Sequence, residues 1–271
     1  VSLSSVRIGS AFEMYRSDGD YTVTVPHGGS DVRVLRQNAD VTMLSGMVRA
    51  EWDSHHMATL LVRSGERGVP GAVVADAVLA PRARFADLDV LGQVRSQLYN
   101  SNASKAWLSA GGRYLDQHYT DPDSRITGRA GIDSRFIMRD VSASAHWMIL
   151  DKAASLQLNA EGGFSDLHGT CLQPEVGNYV DRSYVGASVE ASALPWDNWL
   201  AEAAVRLDAY SDVGNALTAM AGIRWEALDP LRLYVQAGTG FRPPSFNELY
   251  CLNYGNANLA PERSLMISFG G

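Results

Sequence analysis

Three groups of side chains in this sequence could do chemistry. His27 and His168 stand in segments rich in glycine and polar residues, where an imidazole could ligate a metal chelate. The same residues would be simply solvated if no ligand came. His55 and His56 read as turn residues. Asp116, Asp121 and Asp123 carry the hard carboxylate oxygens that Ca²⁺ takes, without the spacing of an EF-hand loop. A loop-held Ca²⁺ is therefore the one resident ion to consider, and no other cofactor is expected. Cys171 and Cys251 have no C-x-x-C spacing for zinc, but an oxidising compartment would let them pair. The sequence has no G-x-S-x-G, no H-E-x-x-H and no P-loop, so the expectation is not an enzyme.

The elements that must position these groups follow from composition and period. The chain has 271 residues, 46% hydrophobic and 20% charged, with a formal net charge of -7. The acidic balance argues against a nucleic-acid partner, which would want a basic face. No apolar run reaches the roughly 18 residues of a membrane helix. Instead the dominant period is two. Trp199, Ala201, Ala203, Val205, Leu207 and Ala209 alternate with Leu200, Glu202, Ala204, Arg206, Asp208 and Tyr210. Leu217, Ala219, Ala221, Ile223 and Trp225 alternate in the same way with Thr218, Met220, Gly222, Arg224 and Glu226. Such alternation makes strands with one apolar and one polar face.

The pattern predicts twelve strands, near 2–15, 40–52, 57–65, 85–99, 104–118, 135–149, 155–166, 181–194, 199–211, 215–227, 231–241 and 262–270. Short turns at 53–56, 100–103, 150–154, 195–198 and 228–230 alternate with long loops near 16–39, 66–84, 119–134, 167–180 and 242–261, with 212–214 a short exception. Tight turns at one end and long loops at the other are the build of an outer-membrane barrel. Trp52, Trp107, Trp147, Trp196, Trp199 and Trp225 all lie near a short turn. Phe12, Tyr15, Phe85, Tyr114, Phe136, Phe164, Tyr184, Tyr210 and Phe241 mark the opposite strand ends. These two bands are expected to be the interfacial girdles. Glycine pairs at 111–112 and 162–163 fall inside strands, where they mark bends or close backbone approach.

One segment is recognisable. Gly240-Phe241-Arg242-Pro243-Pro244-Ser245-Phe246-Asn247-Glu248-Leu249-Tyr250 is followed by Gly255-Asn256-Ala257-Asn258-Leu259-Ala260-Pro261-Glu262-Arg263-Ser264. The pair closely resembles the two-part signature of TonB-dependent outer-membrane receptors, departing from it at Pro243, where alanine is commoner. Arg206-Leu207-Asp208-Ala209-Tyr210-Ser211-Asp212, Gly19-Asp20-Tyr21-Thr22, Arg36-Gln37-Asn38-Ala39-Asp40 and Glu66-Arg67-Gly68-Val69-Pro70-Gly71 resemble further family segments, so the likeness spans roughly residues 19–268. Residue chemistry agrees with a strand–loop–strand. Pro243 and Pro244 end the pairing, Asn256 and Asn258 suit turns, and Pro261 leads into a strand that Glu262 enters on the polar side. Glu262 could pair with Arg242, Arg224 or Arg206, or the loop could hold only its own shape.

The resemblance implies an all-β antiparallel transmembrane barrel of about 22 strands with a plugged lumen. Residues 1–271 would be part of that barrel, roughly its third to fourteenth strands, with plug, TonB box and C-terminal strands lying elsewhere in a longer protein. It further implies uptake of a ferric siderophore or cobalamin-class nutrient, energised by a TonB complex acting on an N-terminal segment. Family haem receptors place a histidine between the signature halves; here there is none, which lowers haem. Ligand contact is expected in the outer loops, at Tyr21, His27, His168, Tyr250 and Tyr254, with outer-membrane lipid around the wall. The two cysteines map to outer loops about four strands apart, roughly 20 Å at strand spacing, so pairing requires those loops to lean together. The competing readings are a passive porin-like or structural barrel and a soluble β-rich glycan-binding domain.

Overall fold

The computed structural model describes residues 6–53, 55–71, 73–74, 77–78, 81–124, 131–252 and 255–271, with the backbone alone at His27 and at 73–74 and 77–78. Twelve strands form one antiparallel sheet. In spatial order they are β1 (Val6–Ser17), β4 (Val41–Trp52), β5 (His56–Gly68), β8 (Arg84–Asn100), β9 (Ser104–Asp121), β10 (Ile132–Leu150), β11 (Ala154–Gly169), β12 (Tyr179–Ala193), β13 (Trp199–Tyr210), β14 (Gly214–Leu228), β15 (Leu231–Arg242) and β16 (Glu262–Gly270). Neighbours in space are neighbours in sequence, with strands β2 (Tyr21–His27), β3 (Ser30–Arg36), β6 (Val73–Val74) and β7 (Ala77–Val78) set aside in two small hairpins. The loop after β15 carries a one-turn helix, α1 (Phe246–Tyr250).

Among the described residues the predicted strands and turns stand, with two differences; positions 2–5 of the first predicted strand lie outside the described residues. The segment 16–39 is not all loop, because β2 and β3 pair from Tyr21↔Arg36 to His27↔Ser30. Gly28 and Gly29 close that hairpin at φ +58° and +88°, the left-handed conformations that a two-residue turn needs. Several strands also run beyond the predicted ends. β9 and β10 stay paired out to Asp121↔Ile132, past the point where apolar alternation stops.

Register places every strand's apolar row on one face. Val205 opposes Val189 and Ala219, and Leu207 opposes Ala187 and Leu217. These residues are open to the surroundings: Val185 is 62% exposed, Leu217 64% and Leu265 72%. From Ala154 to Phe164 on β11 the apolar row runs ten residue steps at ~3.3 Å each. At a tilt of ~40° that makes a belt roughly 25 Å tall, the height of the lipid-facing band of a membrane barrel. Above it the same face turns charged. Asp166 pairs with Arg139 and Asp116 with Arg135, while Arg84 bridges Asp40 and Glu66.

The opposite face is mostly polar, and its charged groups are bonded to one another. Arg113 donates to both oxygens of Asp89 at 2.8 and 3.0 Å, and Arg63 joins the same carboxylate at 3.3 Å. Arg206 bonds Asp208 and Glu161. Asn159 donates to Ser188 and Glu190 at 2.9 Å. Unpartnered, these charges would be costly on a wall facing a confined interior.

The girdle expectation needs correcting in part. Trp52, Trp147, Trp199 and Trp225 lie on the apolar face, with Trp199 stacked on Trp225 at 5.3 Å. Trp107 does not. It shares the row of Lys105, Ser109 and Arg113, stacks on His146 at 5.0 Å, and receives the Arg95 guanidinium over its ring at 4.9 Å. At the other end Phe12, Tyr114, Phe164 and Phe241 face outward, whereas Tyr15, Phe85, Phe136, Tyr184 and Tyr210 lie on the polar row. Closeness to a strand end does not fix the face; the parity of the row does.

Candidate functional site

The site is the rim where the long loops gather. Its centre is the loop from Pro243 to Pro261, which leaves β15 and folds inward over the polar face. Phe246 of α1 packs with Leu167, Leu172 and Val180, and Tyr250 lies against the same cluster. Leu167 and Val180 belong to the polar-face rows of β11 and β12, so the loop crosses the inner side of β14 and β13 to reach them. It forms a strap across one side of the mouth.

Its shape is dictated locally. Pro243 and Pro244 cannot donate to the ladder and end the pairing after Arg242↔Glu262. Ser245 then caps α1 in a capping box: its hydroxyl accepts from the Glu248 amide, and the Glu248 carboxylate accepts from the Ser245 amide at 2.7 Å. Arg242 lies under this turn and donates to both Glu248 and Glu262. It is Arg242, of the three arginines considered, that Glu262 meets; Arg206 is taken by Asp208 and Glu161. The Arg242 guanidinium, then the Ser245 amide and hydroxyl, hold the Glu248 carboxyl well below its ordinary range, at about 2. Asn256 accepts from the Asn258 amide at 3.0 Å, and its own amide donates to the Glu248 carbonyl at 2.8 Å. Leu259 closes the next turn on Asn256 at 3.0 Å, and Leu249 is 2% exposed.

Arg182 anchors the strap to the wall. It donates to Asp212 at 2.7–2.9 Å and to the Pro244 carbonyl at 2.9 Å, with its guanidinium 5.1 Å from the Phe246 ring. Neither Arg182 nor Asp212 stood out in the sequence as partners, though both belong to polar rows at strand ends.

The other expected contact residues are spread around the rim. Tyr21 is exposed at the base of the β2–β3 hairpin, with Arg36 over its ring at 5.9 Å. His27 is at the hairpin's far end, its side chain outside the described residues. His168 accepts from Arg139 at 2.8 Å and leans on Tyr179, ring centroids 4.7 Å apart. That group is on the outward face, above the belt. Tyr250 points into the strap cluster, and Tyr254 lies outside the described residues. The three aspartates considered for Ca²⁺ are each engaged: Asp116 by Arg135, Asp123 by Arg82, and Asp121 by the Asp123 amide at 3.1 Å. Among the described residues no group of three or more His, Cys, Asp or Glu side chains gathers about a common point. Cys171 and Cys251 do come together, beside the Leu172↔Cys251 bridge.

Comparison with known proteins places this arrangement. The vitamin B12 transporter BtuB of Photobacterium profundum is 37% identical over 67 residues, which is 25% of this chain and 11% of that protein. Among solved structures, the copper transporter OprC superposes with a TM-score of 0.66 at 12% identity, covering 98% of this chain and 52% of its own. The ferric citrate transporter FecA in its unliganded form gives 0.63 at 11% identity, covering 99% and 46%. The chain thus spans about half the length of these structures, and the structural likeness at such identities speaks for the fold. The family profile described as TonB dependent receptor-like, beta-barrel matches residues 93–270, well over half of the sequence. Two-faced strands, an inward strap built on the signature residues and this match lead to one conclusion: the chain belongs to the TonB-dependent receptor β-barrel family, an antiparallel transmembrane barrel of which it forms twelve strands.

Proposed function

We propose that this chain is wall and mouth of an energised uptake receptor in a bacterial outer membrane, importing a scarce metal-bearing nutrient. The observation that carries the reading is the inward strap. A loop pinned inward by Arg182 and Arg242 gives the outer end a shaped surface on which cargo can settle, as a gated receptor needs. The family consists of receptors and transporters, which supports transport over catalysis. Energy would reach the barrel from a TonB complex through a segment N-terminal to these strands.

For the cargo, the sequence kinship to a vitamin B12 transporter favours a corrinoid, with a ferric chelate second on the strength of the ferric citrate transporter's fold. Tyr21, exposed at the base of the β2–β3 hairpin, is one proposed contact; Tyr250, packed against the strap cluster, is a second, and His27 and Tyr254 are proposed from the sequence alone. His168 sits on the outward face, bonded to Arg139, and would serve the loops rather than the lumen. The test is uptake of radiolabelled cyanocobalamin and of iron-loaded siderophores by host cells with the whole gene deleted and restored. Restored uptake that a protonophore abolishes is the expected result. Uptake indifferent to the protonophore would make the protein a passive porin.

A further inference from the structure

The rim holds two thiols that uptake leaves without a task. Cys171 follows β11, and Cys251 is the residue that ends α1. The main chains on either side are already locked together. An isolated antiparallel bridge joins Leu172 to Cys251. The Leu252 amide donates to the Cys171 carbonyl at 2.6 Å, and the Gln173 amide to the Tyr250 carbonyl at 2.9 Å. The Gln173 side chain adds a bond to the Gly255 carbonyl at 2.8 Å. Both thiols are free and near enough to act on one another, Cys251 buried and Cys171 half-buried. Strands far apart along the sheet thus deliver two sulfurs to one spot.

We propose that Cys171 and Cys251 are joined by a disulfide in the mature receptor, stapling the strap to the loop between β11 and β12 so that the two move as one piece. The proposal rests on the envelope location put forward above, an oxidising compartment. Burial first, and then the neighbouring Cys251, pushes the Cys171 thiol up to about 12 in the closed rim. Thiolate is scarce there, so the exchange belongs to the chain before these loops close, while the thiols keep an ordinary value near 8.5. One cysteine thiolate attacks the disulfide of an envelope thiol–disulfide oxidoreductase and displaces one of its sulfurs as thiolate. The second cysteine attacks the resulting mixed disulfide, and the oxidoreductase leaves as its dithiol. The two S–H protons, relayed through water, and two electrons all end on the oxidoreductase as its dithiol, which balances the step.

The experiment uses the full-length receptor from native outer membranes, alkylated with maleimide under denaturing, non-reducing conditions, digested, and read by mass spectrometry. A Cys171–Cys251 linked peptide that vanishes on reduction is expected. Two alkylated free thiols, or either cysteine linked elsewhere, would overturn the proposal. Membrane fractionation of the same sample keeps the two readings separate, because a receptor found away from the outer membrane sinks the uptake assignment while the peptide still decides the disulfide. Hydrogen exchange tests the stapling role. Amides 246–252 should exchange at least tenfold faster in C251S than in the parent, with β12–β15 unchanged; equal rates would show that the bond restrains nothing.

Discussion

Arg182 on β12 and Asp212 in the β13–β14 turn form an ion pair at 2.7 Å with side chains only 11% and 14% exposed, and the same guanidinium holds the Pro244 carbonyl of the strap. One side chain therefore ties two loops to the wall. Replacing it leaves a carboxylate nearly buried without its cation, which costs more than the pair is worth. The expected effect of R182A is a loss of about 3 kcal/mol in denaturant unfolding of the full receptor, and R182A/D212A should recover a good part of it. Equal losses in both variants would show that the stabilisation comes from Pro244 and Phe246 alone.

The two faces predict opposite responses at adjacent positions. Val205 lies mid-strand on the apolar row, and Ala204 beside it faces inward. V205R should cost about 2–4 kcal/mol, the penalty of a cation at mid-membrane depth. A204R, in the row of Glu202 and Arg206, should change stability by less than about 1 kcal/mol. Urea unfolding in vesicles measures both, and reversed magnitudes would place the lipid on the wrong side of the sheet.

Gly163 has a reason to be glycine. It lies opposite Tyr184, and a Cβ there would meet the tyrosine ring at 2.6 Å and the Val141 carbonyl at 2.7 Å. The ring can swing; the backbone cannot without disturbing the ladder. G163A should destabilise by about 1–3 kcal/mol, the usual cost of forcing an extra carbon into a filled space. G163A/Y184A should keep most of that loss, since the backbone clash remains. Thermal unfolding of the purified receptor reads both.

The Glu248 cap gives the strap a pH limit. Its folded carboxyl is depressed from 4.5 to about 2, by Arg242 first and Ser245 next. A depressed acid contributes fully above its unfolded value and loses that contribution as pH falls through the folded one. The strap should therefore hold from neutrality down to about pH 4 and loosen as pH approaches 2. Pepsin nicking near Phe246–Tyr250, divided by the rate on an unfolded control peptide at the same pH to remove the protease's own pH dependence, should rise over that window in the parent and stay nearly level in E248Q.

Much of this molecule is written in period two. The predicted strand at 199–211 became Trp199–Tyr210, and all twelve sheet strands lie within a few residues of their predicted spans. Where the outer ends of β9 and β10 lose the alternation, the pairing continues, because hydrogen-bonded ladders do not depend on one face being greasy. The β2–β3 hairpin was there to be read in Val23, Val25, Val32 and Val34 around Gly28–Gly29, but the surrounding polar residues hid it. Trp107 could have been placed by its row mates Lys105 and Ser109. The strap could not. Its contacts join residues some 80 positions apart, as between Gln173 and Gly255, and no period in the sequence records which loop leans on which.

The charged band above the belt settles how far the wall stands clear of the bilayer. From Tyr114 to Asp121, β9 and its partner β10 climb another seven residues, about 23 Å along the strand at ~3.3 Å each and roughly 18 Å in height at the ~40° tilt. A headgroup layer is only roughly 5–8 Å deep. The strands thus rise as a parapet over the membrane surface, and a diffusing molecule touches protein before it touches lipid.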